Sequence, residues 1–347
     1  MHCSSITSSK RSVQSDRSYT CLLNLLRLAL GRHVGAILPN LSPDEWREVY
    51  RLAAKHAVVA LAWDGVEQLQ QQNPEVLQSM PADLMGKWFA DVHAIEAANI
   101  RMTKLAAKVQ NILNDGGFDS QVLKGSTLAA CYPKPEHRQS ADIDLWVLPH
   151  GNEPLRLTAF RQQLLAFLHR QPQITVGEVV YHHIETMIDG TEVEFHITPT
   201  WLCNPWHNRR LQQLFCDSRN LTPELLELYT LLHAFRHIWH DGIALRHLLD
   251  YYFVCHKNRQ QGIPAPAVLY RQLGLNTFAQ AMDELVACCL HPQDDIEQIS
   301  LRAMHILQAL PERQVSGVVC RDYPQEHLFN LPWRAIHYLW RKRNNYL

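Results

Sequence analysis

Residues 118–148 read FDSQVLKGSTLAACYPKPEHRQSADIDLWVL, and the order of residue types along this stretch decides the fold. Phe118 to Leu123 reads as a short strand. It follows Gly116-Gly117, a stop signal for the long helix expected from about Ala82 to Leu113. Small and apolar residues from Gly125 to about Tyr132 suit one short helix, which Pro133 and Pro135 end. A loop holding Lys134, His137 and Arg138 leads into a second strand, Asp142 to Leu148. Side chains alternate along a strand, so Asp142 and Asp144 project from one face while Ile143 and Leu145 flank them with apolar contacts.

Two carboxylates that close repel each other. Solvent tolerates such a pair at a strand edge, and a cation relieves it; Mg²⁺ in particular takes a few carboxylates together with water and substrate phosphates. Upstream, Gly125 lets the backbone approach an anion with no side chain in the way, Ser126 offers a hydroxyl, and Lys124 or Arg138 offers a compensating charge. A turn able to hold a polyphosphate therefore lies one short helix before two carboxylates able to hold a divalent metal.

Downstream, Glu153 to Arg170 is an amphipathic helix that crosses back over the sheet, and Asp189-Gly190 is a two-residue hairpin turn of type I′ character. That turn sets the register: Ile188 opposite Thr191, Met187 opposite Glu192, Glu185 opposite Glu194 and His183 opposite His196. Thr186, Val193, Ile184 and Phe195 fall on the buried face. Glu185, Glu192, Glu194, His183 and His196 gather on the other, either as a hydrated polar surface or as a third source of metal ligands.

Around this segment the chain reads as helical. Ser42-Pro43-Asp44-Glu45 is a helix start with a capping hydroxyl, proline at the first position and acids on the positive end of the dipole. Thr222-Pro223-Glu224 opens another helix to about Trp239, Gly242 separates it from one reaching about His256, and Ala267, Asn276 and Asp295 lie near further starts. The expected fold is α+β: a small mixed sheet with helical regions on both sides. The expected division is a flexible tail over 1–18, an N-terminal helical region over 19–115, a sheet-bearing core over 116–205 and a C-terminal helical domain over 206–347.

Composition narrows the function classes. The 347 residues carry 33 basic and 34 acidic side chains, so no bulk charge draws the chain to nucleic acid or to an anionic membrane. Nine cysteines include no C-x-x-C pair, which argues against a zinc ribbon or a secreted disulfide framework and makes the cytoplasm the default location. The apolar stretch Cys21 to Leu38 is broken by Asn24, Arg27, Arg32 and His33 and does not span a membrane. The Ser-rich first eighteen residues read as a frayed tail in preference to a transit peptide, because Asp16 interrupts them.

Leu123-Lys124-Gly125-Ser126, Tyr132-Pro133, Arg138, Ser140-Ala141-Asp142-Ile143-Asp144-Leu145 and Val193-Glu194-Phe195-His196 resemble an uncharacterised bacterial nucleotidyltransferase family of the DNA polymerase beta-like superfamily. Leu232-His233, His237, Leu245, Leu248 and Asp250 resemble its later helical segment. The resemblance implies Mg²⁺-dependent transfer of a nucleoside monophosphate from an NTP to an acceptor hydroxyl. It makes Asp142, Asp144 and Glu194 the ligands of one or two Mg²⁺ ions, with Gly125 and Ser126 on the triphosphate and Lys124 and Arg138 either beside them on the triphosphate or in structural salt bridges. Glu194 is preferred to Glu192 for its Glu-Phe-His setting, and His183 and His196 are possible substrate contacts. The acceptor, whether small molecule, protein or RNA, is not specified.

Other readings are open at this point. A catalytically silent nucleotide-binding or interaction module fits the same residues, and a metal-dependent nuclease also gathers acids on a hairpin, although the usual acid-x-Lys strand is missing. His233 and His237 have chelating i, i+4 spacing, yet their apolar neighbours favour helix packing. Arg246 and Asp250 suit a helix-surface ion pair. The basic and aromatic run Trp333 to Leu347 offers a nucleic-acid or acidic partner a weak foothold, or docks as an amphipathic helix.

Overall fold

A computed structural model describes residues 4–32, 41–151, 157–240 and 243–291. The run Trp333 to Leu347, the helix start near Asp295 and Gly242 lie outside the described residues. Helix α1 (Ser4–Ala29) begins within the segment read as a tail; its second half is anchored by the buried Tyr19, Leu22, Leu25 and Leu26, from which the helical hydrogen bonds extend back. Helix α2 (Pro43–Lys55) opens on the expected cap, in which the Ser42 hydroxyl accepts from the Glu45 N–H and the Glu45 carboxylate accepts from the Ser42 N–H. Helix α3 (Val59–Gln72) and the long α4 (Ala82–Asp115) follow, α4 ending at Gly116 and at Gly117 with its φ of 83°.

The sheet then assembles in the order β1-β2-β5-β4-β3. Strand β1 (Phe118–Val122) pairs antiparallel with β2 (Ile143–Pro149), and the short helix α5 (Ser126–Ala129) lies between them in sequence. After α6 (Leu157–Leu168) comes an edge strand β3 (Thr175–Val179), absent from the elements expected above because Gly177 weakens its strand signal. Strands β4 (His183–Ile188) and β5 (Thr191–His196) form the hairpin in the expected register, pair for pair from Ile188–Thr191 to His183–His196. Asp189 and Gly190 take the positive φ values, 51° and 75°, that a type I′ turn requires. The decisive contact is β2 against β5: this pair is parallel and sets Asp144 beside Glu194.

Helices follow in the rest of the described residues: α7 (Pro205–Ser218), α8 (Pro223–His240), α9 (Leu245–Gln260), α10 (Ala267–Gln272) and α11 (Asn276–Leu290). One face of the sheet, with Ile143, Leu145, Val147, Ile184, Val193 and Phe195, packs on α4 and α6. Trp146 and Leu148, on the opposite face, join a core shared by the first helices and the last ones, including Trp46, Trp88, Phe215, Leu228 and Leu248. Asp144 alternates with Ile143 and Leu145 and so faces the C-terminal helices with Trp146. Among the described residues no helix is long and apolar enough to cross a membrane.

Candidate active site

Strand alternation and the β2–β5 pairing together bring acids from two strands to one place. Asp144 is fully buried. Its Oδ1 receives Lys124 Nζ at 2.8 Å and His196 Nε2 at 3.0 Å, while Oδ2 is buried without a hydrogen-bond partner. Asp142 lies just before the strand, half-buried, with Oδ2 3.3 Å from the same Lys124 ammonium. Glu194 Oε2 is 2.9 Å from His196 Nε2. One lysine thus joins the two aspartates, and one histidine joins Asp144 to Glu194. Glu192 is exposed, and burial together with Glu194 and Asp142 raises its carboxyl pKa.

The charges explain each other. Burial works against ionising Asp144, but Lys124 and His196 outweigh it and hold the carboxyl far below the usual range. Burial also opposes the Lys124 ammonium, and Asp144 and Asp142 more than restore it. His196 follows the same logic: burial lowers its pKa, and bonds to Asp144 and Glu194 raise it above the ordinary value. His183 goes the other way, its pKa pushed down to about 4 by burial and by neighbouring His196. Its Nε2 lies 3.3 Å from Glu185 Oε1 and 3.7 Å from Glu194 Oε1.

The turn before α5 supports this cluster. Gly125 has φ 51° and ψ −119°, a backbone conformation that side chains oppose, although an added Cβ would meet nothing nearer than Val122 Cγ1 at 3.8 Å. The Thr127 hydroxyl donates to the Val122 carbonyl at 2.6 Å and ties α5 back to β1. Beside the turn lies a cavity of about 440 Å³ lined by Gly125, Ser126, Ser140 and Asp142 on one side and by Asn99, Ile100 and Thr103 of α4 on the other. Asn99 Nδ2 donates to the Glu136 and Arg138 carbonyls at 2.7 and 2.8 Å, fixing the far wall to the loop.

Arg138 is engaged elsewhere. Its guanidinium is buried and donates to Asp250 through Nε (2.7 Å) and Nη2 (2.9 Å) and to the Ser140 hydroxyl through Nη1 (2.6 Å). Tyr132 adds a hydroxyl donor to Asp250 at 2.7 Å. Asp250 therefore pairs across the fold with Arg138, and Arg246, expected as its partner on the same helix, donates instead to the Gln139 carbonyl at 3.0 Å. Ser126, at the mouth of the cavity, and Lys124 are the polar side chains of the turn itself.

Among the described residues, three groups of donor atoms cluster within 4.8 Å of one another: Asp144 with Glu194 and His196, His182 with His183 and His196, and His233 with His237 and His247. The third lies among the helices and contains no acid. His247 Nδ1 accepts from the Ala244 N–H at 3.0 Å, which puts the ring proton on Nε2 and leaves no lone pair there for a metal. His233 and His237 share one contact of 3.2 Å between their Nε2 atoms. Nothing local in the sequence relates His247 to that pair, nor Arg236 of α8 to His182, whose Nε2 is 3.2 Å from Arg236 Nη1. Such contacts arise from helix packing across the site.

The unpartnered Asp144 Oδ2 and the adjacent carboxylates of Asp142 and Glu194 are oxygen donors of the kind a divalent cation takes. Residues 42–291 match the family model described as uncharacterised nucleotidyltransferase. No curated protein and no solved structure matches the chain.

Proposed function

The chain belongs to the uncharacterised nucleotidyltransferase family, and from that premise we propose that it transfers a nucleoside monophosphate from an NTP to an acceptor hydroxyl, with Mg²⁺ bound by Asp142, Asp144 and Glu194. The observation that carries the reading is the pairing of Asp144 with Glu194 across β2 and β5, with Asp142 tied in through Lys124 beside the Gly125-Ser126 turn. Carboxylates from two strands, facing one side, suit a cation better than they suit one another.

Each residue has a task in this proposal. Gly125 brings the backbone up to the β and γ phosphates, and the Ser126 hydroxyl donates to a phosphate oxygen. Lys124 supplies a positive charge that it shares between the aspartates and the triphosphate. His196 orients Asp144 and Glu194 through one ring nitrogen, and His183, next to Glu194, contacts the acceptor. Arg138 we read as support for the loop that carries Ser140 to Asp142. Mg²⁺, when bound, stabilises the charge that develops at the α-phosphate.

Incubation of the protein with each α-labelled NTP, Mg²⁺ and a cell extract tests the proposal. Label should enter one fraction and should be lost with Asp142→Asn and Asp144→Asn. Absence of labelling with every NTP, the substituted proteins behaving as wild type, refutes an enzymatic role and leaves the silent-module reading.

A further inference from the structure

The hydrogen-bond donors around His183 can be assigned one after another from a fixed start. Arg236 lies over the Trp201 ring, 4.9 Å from its centroid, and places Nη1 3.2 Å from His182 Nε2. A guanidinium only donates. His182 Nε2 is therefore an acceptor. His183 Nδ1 lies 2.9 Å from that same nitrogen and so carries its ring proton, because two bare nitrogens would repel at this distance. The remaining nitrogen of a neutral His183, Nε2, is then a bare lone pair.

That lone pair points at acceptors. Glu185 Oε1 is 3.3 Å away and Glu194 Oε1 is 3.7 Å away, and ionised carboxylates donate nothing. The arrangement has the form of a first coordination layer with its support already built. Metal-ligating histidines almost always donate their other ring N–H to a fixed acceptor. Here the acceptor is His182, itself held by Arg236. Two ligands each about 2.1 Å from one ion lie roughly 3–3.7 Å apart, which is the separation of His183 Nε2 from each carboxylate oxygen.

We propose that His183 Nε2 and Glu194 Oε1 bind one divalent ion together, and that this nitrogen-containing set selects a first-row transition ion over Mg²⁺. The inference rests on Glu194 being a metal ligand, as read above, and adds an imidazole to an otherwise all-oxygen set. Mg²⁺ favours oxygen donors and retains its waters, whereas imidazole suits transition ions, and a mixed set of imidazole and carboxylate accommodates Mn²⁺. His182 and Arg236 are positioning residues in this proposal, since they act on the ion through His183.

The test uses the full chain and Mn²⁺ in the presence of excess Mg²⁺. Pulsed electron paramagnetic resonance of bound Mn²⁺ should show coupling to an imidazole nitrogen in wild type, and this coupling should vanish in His183→Gln. Mn²⁺ affinity should fall by at least about tenfold in His183→Gln, and by about tenfold in Arg236→Gln, which keeps the ligand but removes the group that orients it. Mn²⁺ bound with no nitrogen coupling in wild type overturns the proposal while leaving the carboxylate site intact. Coupling that persists in a folded His183→Gln also overturns it and points to His196. No Mn²⁺ binding sensitive to Asp144→Asn or Glu194→Gln removes the carboxylate site itself, and this proposal with it. The wild-type spectrum alone decides the matter if His183→Gln does not fold.

Discussion

Asp144 and Glu194 are direct partners across the parallel β2–β5 pair, and one ring nitrogen, His196 Nε2, lies 3.0 Å from the first and 2.9 Å from the second. No local turn imposes this neighbourhood, because β2 and β5 are separated in sequence by a helix and two further strands. It follows from packing: Ile143, Leu145, Val193 and Phe195 must share the core against α4 and α6, and that requirement turns Asp144 and Glu194 together to the opposite face.

If the two acids act as one metal-binding unit, their removal is not additive. Asp144→Asn and Glu194→Gln should each lower NMP transfer by about 10³-fold, the equivalent of the several kcal/mol a bound metal supplies to charge stabilisation. The double variant should fall little further. Steady-state rates of label transfer check this, and two independent losses that multiply would contradict it.

Lys124 lies between Asp142 and Asp144 and holds both. Lys124→Met should leave the two carboxylates facing each other, lowering the melting temperature before metal is added. Divalent metal should then raise the melting temperature more than it does in wild type, because metal no longer competes with an ammonium for the same oxygens. Transfer should nonetheless be slower if Lys124 also neutralises the triphosphate, as proposed. A thermal-shift titration with Mg²⁺ or Mn²⁺ measures the first effect; an unchanged metal response would show that Lys124 and the ion do not share ligands.

Much of this arrangement was legible in the sequence where local chemistry governs it. The Asp189-Gly190 turn and the alternation around it determined all six pairs of the hairpin, and Ser42 with Glu45 determined the start of α2. The proximity of Gly125 to the acids followed from their order along the chain. What could not be read depends on meetings between distant residues: Arg138 with Asp250, Arg236 with His182, and the core shared by the first and last helices. Arg246 and Asp250 illustrate the point. Their i, i+4 spacing satisfies the rule for a helix pair, yet a buried carboxylate gains more from a guanidinium that reaches it with two bonds from another segment.

Arg138 and Asp250 should dominate the stability of the loop that carries Asp142. Both are buried. Asp250→Ala leaves a guanidinium without its countercharge and should cost about 3–5 kcal/mol in urea denaturation. Burial tends to raise the Asp250 carboxyl, but Arg138 outweighs it and the folded pKa lies below the ordinary value. A depressed folded pKa means that the stabilisation is complete above the unfolded aspartate pKa of about 3.9 and is lost as pH falls through the folded one. Wild type should therefore lose stability in acid more steeply than Asp250→Asn.

His137 should produce the opposite dependence. Its Nδ1 lies 2.8 Å from Asp64 and its Nε2 3.0 Å from Glu96, joining the loop to α3 and α4. Burial lowers its pKa, and the bond to Asp64 more than compensates, so the folded pKa is raised. The stabilisation is then present below the unfolded histidine pKa of about 6.5 and is lost as pH rises through the folded value. Denaturation midpoints measured between pH 6 and 9 should decline in wild type and decline less in His137→Gln.

Gly125→Ala separates backbone conformation from contact. The added methyl group has room, with Val122 Cγ1 at 3.8 Å as its nearest neighbour, but φ 51° with ψ −119° is a conformation that alanine resists. The cost should be about 1–3 kcal/mol. The turn can relieve that strain only by rotating, and rotation moves the Gly125 and Ser126 amides relative to Asp142 and Asp144. NTP binding, followed by equilibrium titration with a fluorescent nucleotide, should therefore weaken more than the melting temperature alone suggests. Ser126→Ala keeps the backbone and removes one hydroxyl, so it should weaken binding by no more than the worth of one charge-assisted hydrogen bond, about 1.5–3 kcal/mol. If Gly125→Ala unfolds the turn without altering nucleotide affinity, the phosphates are held by residues outside the turn.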